Sequence, residues 1–391
     1  MTSSKSSSSV VPFWRDVRVY RIAAQVLFVV VIVFVGYVLW SNLMRGLAKF
    51  SNTLGFDFLQ AGASIPLSET TIEYDASDPY YYAFFIGALN TLRVIIIGIV
   101  LASILGLVGG IARLSSNWLV AKISAVYVEI FLDTPLLIQL YFWYLVGVLR
   151  LPRVRESIEL PGPVYLSNRG IVIPWVEPSA SFGSWLIVGG VALVAAIVLY
   201  VWFGRLSETA AARVWRGVWA FLFFTIAAIV AAIALNAFTP SSPEIKGFNY
   251  DGGLSFSSSY AALVIGLVTY TGAFISEIVR AGILAVPRGL NEASRAVGLT
   301  YTQTLRLVTV PLALRTIIPP LTNQYLNLAK NSSLAVAIAF PDLYYVGRTI
   351  FNQTGQTIQI VAMIMGTYLL ISLAISLFMN QLNARFALVE R

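Results

Sequence analysis

Glu129 and Asp133 stand four residues apart inside an otherwise apolar run, with Pro135 and Gln139 just beyond them. That spacing puts both carboxylates on one helix face, where they repel if both ionise. An ionisable group at mid-bilayer costs about 2.5–3.5 kcal/mol or more, so each is a functional candidate. At 1.5 Å per residue, Asp133 lies about 15 Å in from Lys122, near the middle of the run. Two readings stay open. The acids are satisfied within the protein by Arg93, Lys330 or a hydroxyl, or they and Gln139 form the polar wall of a solute pathway.

A second run carries Pro319-Pro320, then Asn323, Gln324, Asn327, Lys330, Asn331, Ser332 and Ser333. Adjacent prolines remove backbone donors, and irregular backbone at membrane depth survives only beside protein or water. This stretch is therefore expected to be a broken helix facing a cavity. Lys330 sits about 25 Å from the start of the run, in its outer half if the helix is straight. There it either meets a substrate carboxylate or snorkels and pairs with Asp133 or Glu129. A zwitterionic solute needs one anionic and one cationic contact, and Asp133 with Lys330 is the pair the spacing offers. Arg93 reads as a snorkelling or packing residue.

Other chemistry is excluded. The chain has no Cys and no His, which removes disulfides, thiolate chemistry, the commonest zinc ligand and the Ser-His type of nucleophile. None of the five lysines follows a glycine, so no P-loop can hold nucleotide phosphates. No metal, nucleophile or cofactor constellation is apparent, and ATP-driven work would need a separate subunit.

These residues must be positioned by membrane helices. The 391 residues are 58% hydrophobic and only 11% charged, against about a quarter charged in soluble domains. Eight apolar spans are expected, near 22–40, 84–112, 123–148, 184–203, 217–237, 259–280, 313–338 and 358–380. The net charge of +8 reflects Lys and Arg flanking these spans and is no sign of nucleic-acid binding. The bias of basic flanks is about twofold and puts both termini and the 281–312 loop in the cytoplasm. Residues 1–9 are Ser-rich and expected to be disordered. The run after Arg21 is too long for a signal-peptide core, so it is expected to be a retained span. Residues 204–217 form a short basic turn that makes spans four and five a hairpin. The outer loop 41–83 carries Asp57, Glu69, Glu73, Asp75 and Asp78 beside Tyr80-Tyr81-Tyr82. A surface helix is expected from Pro341 to Arg348 on the outer side, where a substrate-delivery protein could touch it. No internal repeat of the carrier type is evident.

The 281–312 loop is structured. Pro287 and Gly289 break the chain, Asn291 is a fair N-cap, and Glu292 in the first turn suits the helix dipole. Gly298 permits a sharp left-handed stop, and Thr300 can cap a second piece over 301–308 before Pro311 opens span seven. On these residues alone the loop is either an ordinary amphipathic surface helix or a docking element.

Glu292-Ala293-Ser294, Gly298 and Pro311 resemble the Glu-Ala-Ala loop of ABC importer permeases. Tyr270-Thr271, Glu277, Arg280, Gly282, Pro287-Arg288-Gly289, Pro311 to Arg315, Pro319-Pro320, Asn323 and Lys330 to Leu334 look like the polar amino-acid (histidine/glutamine permease) class. The likeness covers about 85–135 and 258–391. An extra first span and an extra hairpin make the chain similar to the Q-type subunit of general L-amino-acid and glutamate-glutamine-aspartate-asparagine transporters. Two departures stand out: Leu290 follows Gly289 where the family has Gln, and Phe131-Leu132-Asp133-Thr134-Pro135 stands where the family has Phe-Arg-Gly/Asn-Thr-Pro.

The resemblance implies an all-α integral membrane protein of about eight transmembrane helices with a type I ABC importer core. It implies a cytoplasmic tail over 1–21, an extra span and periplasmic loop over 22–83, and a first core part over 84–148. Inserted periplasmic loops and a hairpin follow over 149–257, then the second core part over 258–391 with the coupling loop 281–312. Glu292, Ala293, Ser294, Arg295, Gly298 and Pro311 would engage an ATPase, with Glu277, Arg280 and Gly282 in support. From the intramembrane charges and breaks read above, Glu129, Asp133, Gln139, Asn327, Lys330, Asn331, Ser332 and Ser333 would line the path. ATP and Mg would bind a cytoplasmic ATPase dimer. The other partners would be a second, related permease, a periplasmic binding protein, an L-amino acid and lipid of the bacterial inner membrane. The mechanism implied is alternating access. The competing function is a stand-alone ion-coupled amino-acid carrier, against which stand the absent repeat, the absent His and the surplus helical loop. An embedded enzyme or scaffold lacks any site.

Overall fold

The computed structural model describes residues 17–50, 55–70, 72–204 and 210–386. The tail over 1–9 and the apex of the turn expected at 204–217 lie outside them. Helix α1 (Val17–Phe50) forms a unit with its neighbouring segment and is apolar on all sides. None of its described side chains is buried, as suits a helix solvated by lipid.

The rest of the chain is built on α2 (Tyr80–Ala112), with α3 (Trp118–Asp133) and α4 (Leu136–Tyr141) following it. A π-helical stretch, Phe142–Val148, extends α4. Helices α5 (Phe182–Gly204) and α6 (Ala210–Ala234) form the expected hairpin, and α7 (Ser258–Leu284) returns to the core. Beyond it come α8 (Arg288–Ala296), α9 (Tyr301–Thr304), α10 (Val310–Asn331), α11 (Leu343–Thr354) and α12 (Thr357–Phe386). Among the described residues seven helices are long and apolar enough to cross a membrane, or eight if the bent pair α3–α4 is one span.

That pair is one crossing, because its far end returns to where α2 begins. The Asn168 N–H donates to Pro152 O, Gly170 pairs with Ser257 across a sheet, and the Ser257 N–H donates to Glu69. Glu69 in turn holds Arg93 in the first half of α2. Span three therefore crosses, but with a bend of 108° at the Thr134-Pro135 break. A straight helix merely perturbed by Pro135 was the expectation. Proline at 135 disfavours helical backbone at Thr134, which is extended here (φ −101°, ψ 127°).

The core is α2 packed along α7, with α10 against α7 and α12, and α11 wedged between α2 and α12. Glycines permit the closest approach. A Cβ on Gly110 would stand 2.7 Å from Ser276 O, and one on Gly282 2.3 Å from Ile317 Cγ1. The double proline of α10 does not break it, contrary to expectation: the helix runs through Pro319 and Pro320, and irregularity falls instead at its two ends. These are a π-helical stretch over Leu305–Thr309 and a 3₁₀ stretch over Ser332–Ile338 that ends at Ala339 in the left-handed region (φ 55°).

Two further features differ from the sequence reading. The helix after Pro341 exists, but it is set into the bundle and not laid on it: Asp342, Leu343, Val346, Gly347 and Ile350 are buried, while Tyr344, Arg348 and Asn352 keep one stripe exposed. The loops on either side of the hairpin also fold into sheets. Strands β1 (Ile158–Leu160), β2 (Val164–Ser167), β3 (Gly170–Ile173) and β4 (Trp175–Pro178) precede the hairpin; β5 (Phe238–Ser241), β6 (Glu244–Lys246), β7 (Asn249–Asp251) and β8 (Leu254–Ser257) follow it. The sheets are β1-β2-β3-β8, β4-β5 and β6-β7, all antiparallel. Strands of three or four residues bury too little to show a hydropathy pattern.

Candidate functional site

At one end of the core the last turns of α7 are clamped to α2. Glu277 accepts from both Arg113 and Arg280, so one carboxylate bridges two guanidinium groups and ties the end of α2 to α7. Charge-assisted pairs of this kind are among the stronger polar contacts. Further along α7, Gly282 lets α10 come against it. Val286 is buried and Pro287 is extended (φ −58°, ψ 130°), which turns the chain into α8.

Helix α8 begins at Arg288, earlier than expected. Gly289 is inside it and does not break the chain, and Asn291 is not its N-cap. Proline supplies the N-cap position without a side-chain bond, and the helix starts as soon as the proline constraint ends. Asn291 instead accepts from the Thr309 hydroxyl at 2.9 Å, and buried Ser294 donates to Leu290 O. These two residues make the inner face of α8, turned to the π-helical stretch. The outer face presents Glu292, Ala293, Arg295 and Ala296, with Val297 77% and Tyr301 72% exposed. Gly298 takes the left-handed conformation at φ +84°, and Leu299 N–H closes on Ser294 O. Thr300 then forms a capping box with Gln303, as its position suggested. No break precedes Pro311: 301–338 is one continuous helical run. The loop helix is bonded to the base of this run through Asn291 and Thr309.

The pathway candidates divide into three groups. Thr316, Pro319, Asn323, Asn327 and Lys330 recur every three or four residues and are all exposed, so they form one face of α10 that no other described element of the chain covers. Glu129 and Asp133 are likewise exposed on α3. Among the described ion pairs neither acid appears, nor does Lys330, and Arg93 is committed to Glu69 at 3.0 Å. The internal neutralisation considered for the acids is therefore absent, and so is the Asp133–Lys330 pair. Ser332 and Ser333 are used locally, donating to Ala329 O and Lys330 O at the end of α10, beside half-buried Asn331. Gln139 is not part of an open polar wall. It is 5% exposed, and its amide nitrogen donates to Phe131 O and Thr134 O, two carbonyls freed by the bend.

A buried polar cluster near the start of α2 has no counterpart among the expected site residues. Glu69 is buried, pairs with Arg93 and accepts from Ser257 N–H, while Arg93 stacks over Phe256 and Tyr260. Asn90 donates to Glu69 O and Pro341 O, and the Thr91 hydroxyl accepts from Leu343 N–H. Buried Asp342 caps α11 through Tyr345 N–H, and desolvation pushes its carboxyl up to about 7. An Arg inside an apolar span needs an acid, and the signal lay there: the outer loop beside α2 holds the nearest acids in sequence.

An apolar helical bundle that keeps amides and charges on open faces and a rigid helical loop at one end is the architecture of a protein that passes a solute across a membrane. Residues 98–388 match the model of the binding-protein-dependent transport system inner membrane component family, and the chain belongs to that family. YhdX of Escherichia coli is 44% identical over 94% of each chain. The general L-amino acid transport system permease protein AapQ of Rhizobium johnstonii is 43% identical, over 92% of this chain and 91% of its own. The glutamate/glutamine/aspartate/asparagine transport system permease protein BztB of Rhodobacter capsulatus is 36% identical over 96% of each.

Proposed function

We propose that this chain is the permease subunit of an ATP-driven ABC importer of L-amino acids, working by alternating access in the bacterial inner membrane. The observation that carries the reading is the loop helix α8. Its outer face is small, charged and uncovered, and its inner face is bonded to the base of α10 through Asn291 and Thr309. A helix held this way transmits a push, and it belongs to a chain whose relatives at 43% and 36% identity are named as permeases of amino-acid transport systems.

The proposed assembly has a cytoplasmic ATPase dimer that binds ATP and Mg, a second related permease and a periplasmic binding protein. Both termini face the cytoplasm. Glu292, Ala293, Ser294, Arg295, Gly298 and Pro311 form or support the ATPase contact. Glu277, Arg280 and Gly282 make α2, α7 and α10 respond together. The exposed face of α10 with Asn327 and Lys330, and the acids Glu129 and Asp133, turn toward the second permease and the path between the two. The core parts are 84–148 and 258–391, with 22–83 and 149–257 as additions around them.

The test is uptake of labelled glutamate and asparagine by cells producing Glu292→Lys with Gly298→Asp. Uptake should fall at least tenfold with the amount of chain in the membrane unchanged. Undiminished uptake at normal abundance would remove α8 from the coupling path.

A further inference from the structure

One side chain spans the bend of span three. Proline has no N–H, so the helical bond that residue 135 would give to Phe131 O is missing. A continuous helix would also close the Ile138 N–H on Thr134 O, but here the Ile138 and Gln139 N–H groups both turn to Pro135 O. Two carbonyls are thus freed at a break inside an apolar segment, where an unmatched backbone group is costly. Gln139 Nε2 reaches both, donating to Phe131 O at 3.0 Å and to Thr134 O at 2.9 Å. Both amide hydrogens are engaged. The amide oxygen is buried without a partner, so the side chain is placed for its donors alone. The Thr134 hydroxyl completes the cap by donating to Ile130 O.

Each arm is fixed to the core on its own side of the break. On α3 the Ser124 hydroxyl donates to Gly109 O of α2, and the Tyr127 hydroxyl to Thr269 O of α7. On the second arm Leu136 and Leu140 are buried in one cluster with Tyr260, Leu263 and Leu267 of α7. Thr134 reaches only back along its own turn, whereas Gln139 stands on the second arm and bonds the first. Gln139 is therefore a polar tie between the arms across a bend of 108°. What that angle decides is the direction of the last turns of α3, which carry the exposed carboxylates of Glu129 and Asp133.

Resting on the importer reading above, we propose that Gln139 is a positioning residue for solute passage: it keeps span three bent, and the bend presents Glu129 and Asp133 to the path. Gln139 touches no solute in this role. It acts through the direction of α3, and so through where two carboxylates stand. Without its donors, Phe131 O and Thr134 O must be met by water or by a re-formed, straighter helix, and either moves the acids.

The experiment measures uptake of labelled glutamate and asparagine by cells producing the wild-type chain, Gln139→Leu, or Gln139→Leu with Pro135→Ala, with cells lacking the chain as baseline. Thermal midpoints of the detergent-solubilised chains are read beside it. Gln139→Leu should lower the midpoint and cut uptake about tenfold or more, since small misplacements of orienting groups are costly. Pro135→Ala returns an N–H for Phe131 O and helical freedom to Thr134. The double variant should therefore regain most of the midpoint while its uptake stays down. Uptake that recovers together with the midpoint would reduce Gln139 to a folding residue and overturn the role. The bend is read separately, because the chain has no native Cys. Ile130 and Ile138 stand on opposite arms and line the same slot. With Ile130→Cys and Ile138→Cys, a short bifunctional thiol reagent should link the arms when Gln139 is present and link them much less in Gln139→Leu. That measurement decides the matter if the double variant does not accumulate. Unchanged linking in Gln139→Leu, or undiminished uptake, would overturn the proposal and leave the importer reading standing. Wild-type cells that import neither amino acid above the baseline would end both.

Discussion

Glu69 and Arg93 form a buried ion pair beside the first half of α2. The carboxylate side chain is 4% exposed and the guanidinium 16%, so removing one partner strands the other in a poorly solvated place. Losing one member of a buried pair typically costs about 3–5 kcal/mol, whereas replacing both is often close to neutral. Arg93→Met alone should therefore lower the thermal midpoint of the detergent-solubilised protein far more than Glu69→Gln with Arg93→Met. A similar midpoint for the single and double variants would show that the pair has no such role. Asp342 makes a pH prediction. Its carboxyl is raised from 3.8 to about 7 in the folded protein by burial. The folded state then binds the proton more tightly than the unfolded state, so this group's contribution is greatest below pH about 4. It is lost progressively up to about pH 7, by at most about 1.4 kcal/mol per pH unit. Asp342→Asn keeps an acceptor for Tyr345 N–H and removes the titration. Its midpoint should vary less between pH 5 and 7 than that of the wild type, and equal slopes would contradict the assignment. Neither residue was legible beforehand as part of one cluster. Arg93 was visible as a charge in an apolar run, but its partner comes from a loop and Asp342 from a helix expected on the surface. Hydropathy reports length and polarity, not which loop folds back.

At the scale of elements the long apolar helices were legible because each is a run of about 20 residues with one composition. The Thr300 cap and the Gly298 stop were legible because one residue type serves one backbone need. The start of α8 was not, because Pro287 and Asn291 both suit a helix N-terminus and only the contact of Asn291 with Thr309 decides between them. The hairpin of α5 and α6 packs chiefly on itself, through Trp185 on Ala228 O and the Phe182–Trp185–Phe238 ring cluster. Its two ends meet at the Ser179 N–H to Ala237 O bond and in β4-β5. Replacing 180–236 by a short Gly-Ser link should leave a chain that inserts and whose thermal midpoint stays within a few degrees of the full chain. Aggregation of the shortened chain in mild detergent would mean that the core leans on the hairpin. The outer sheets were invisible in advance for the opposite reason: strands of three or four residues are held by cross-strand pairing that no local pattern announces.

For the whole molecule, the decisive observation is what it leaves uncovered. The bundle keeps Asn323, Asn327 and Lys330 on one open face and Glu129 and Asp133 on another, polar surface that no described element of the chain covers. Affinity purification from native membranes should bring down a P-loop ATPase and a second permease of related sequence. Recovery of a monodisperse, active single chain that moves amino acids on an ion gradient would favour the carrier alternative. This open face was legible in outline, since the polar residues of span seven pointed to a cavity. The regular helix beneath them was not, because Pro319-Pro320 pointed to a break that packing against α7 and α12 does not allow.

The Glu69 contacts also set an order of assembly during synthesis. Arg93 follows its carboxylate by 24 residues, so the charge can enter the bilayer already paired with a segment made just before it. The third member, the Ser257 N–H, lies 188 residues later, after the outer sheets and the hairpin have been translated. Until then the outer end of α2 has no α7 to lie against, and the nascent chain carries a half-built junction past the translocon. Ribosome-bound chains stopped before residue 257 should consequently expose the 60–79 segment to protease, and chains released beyond α7 should protect it.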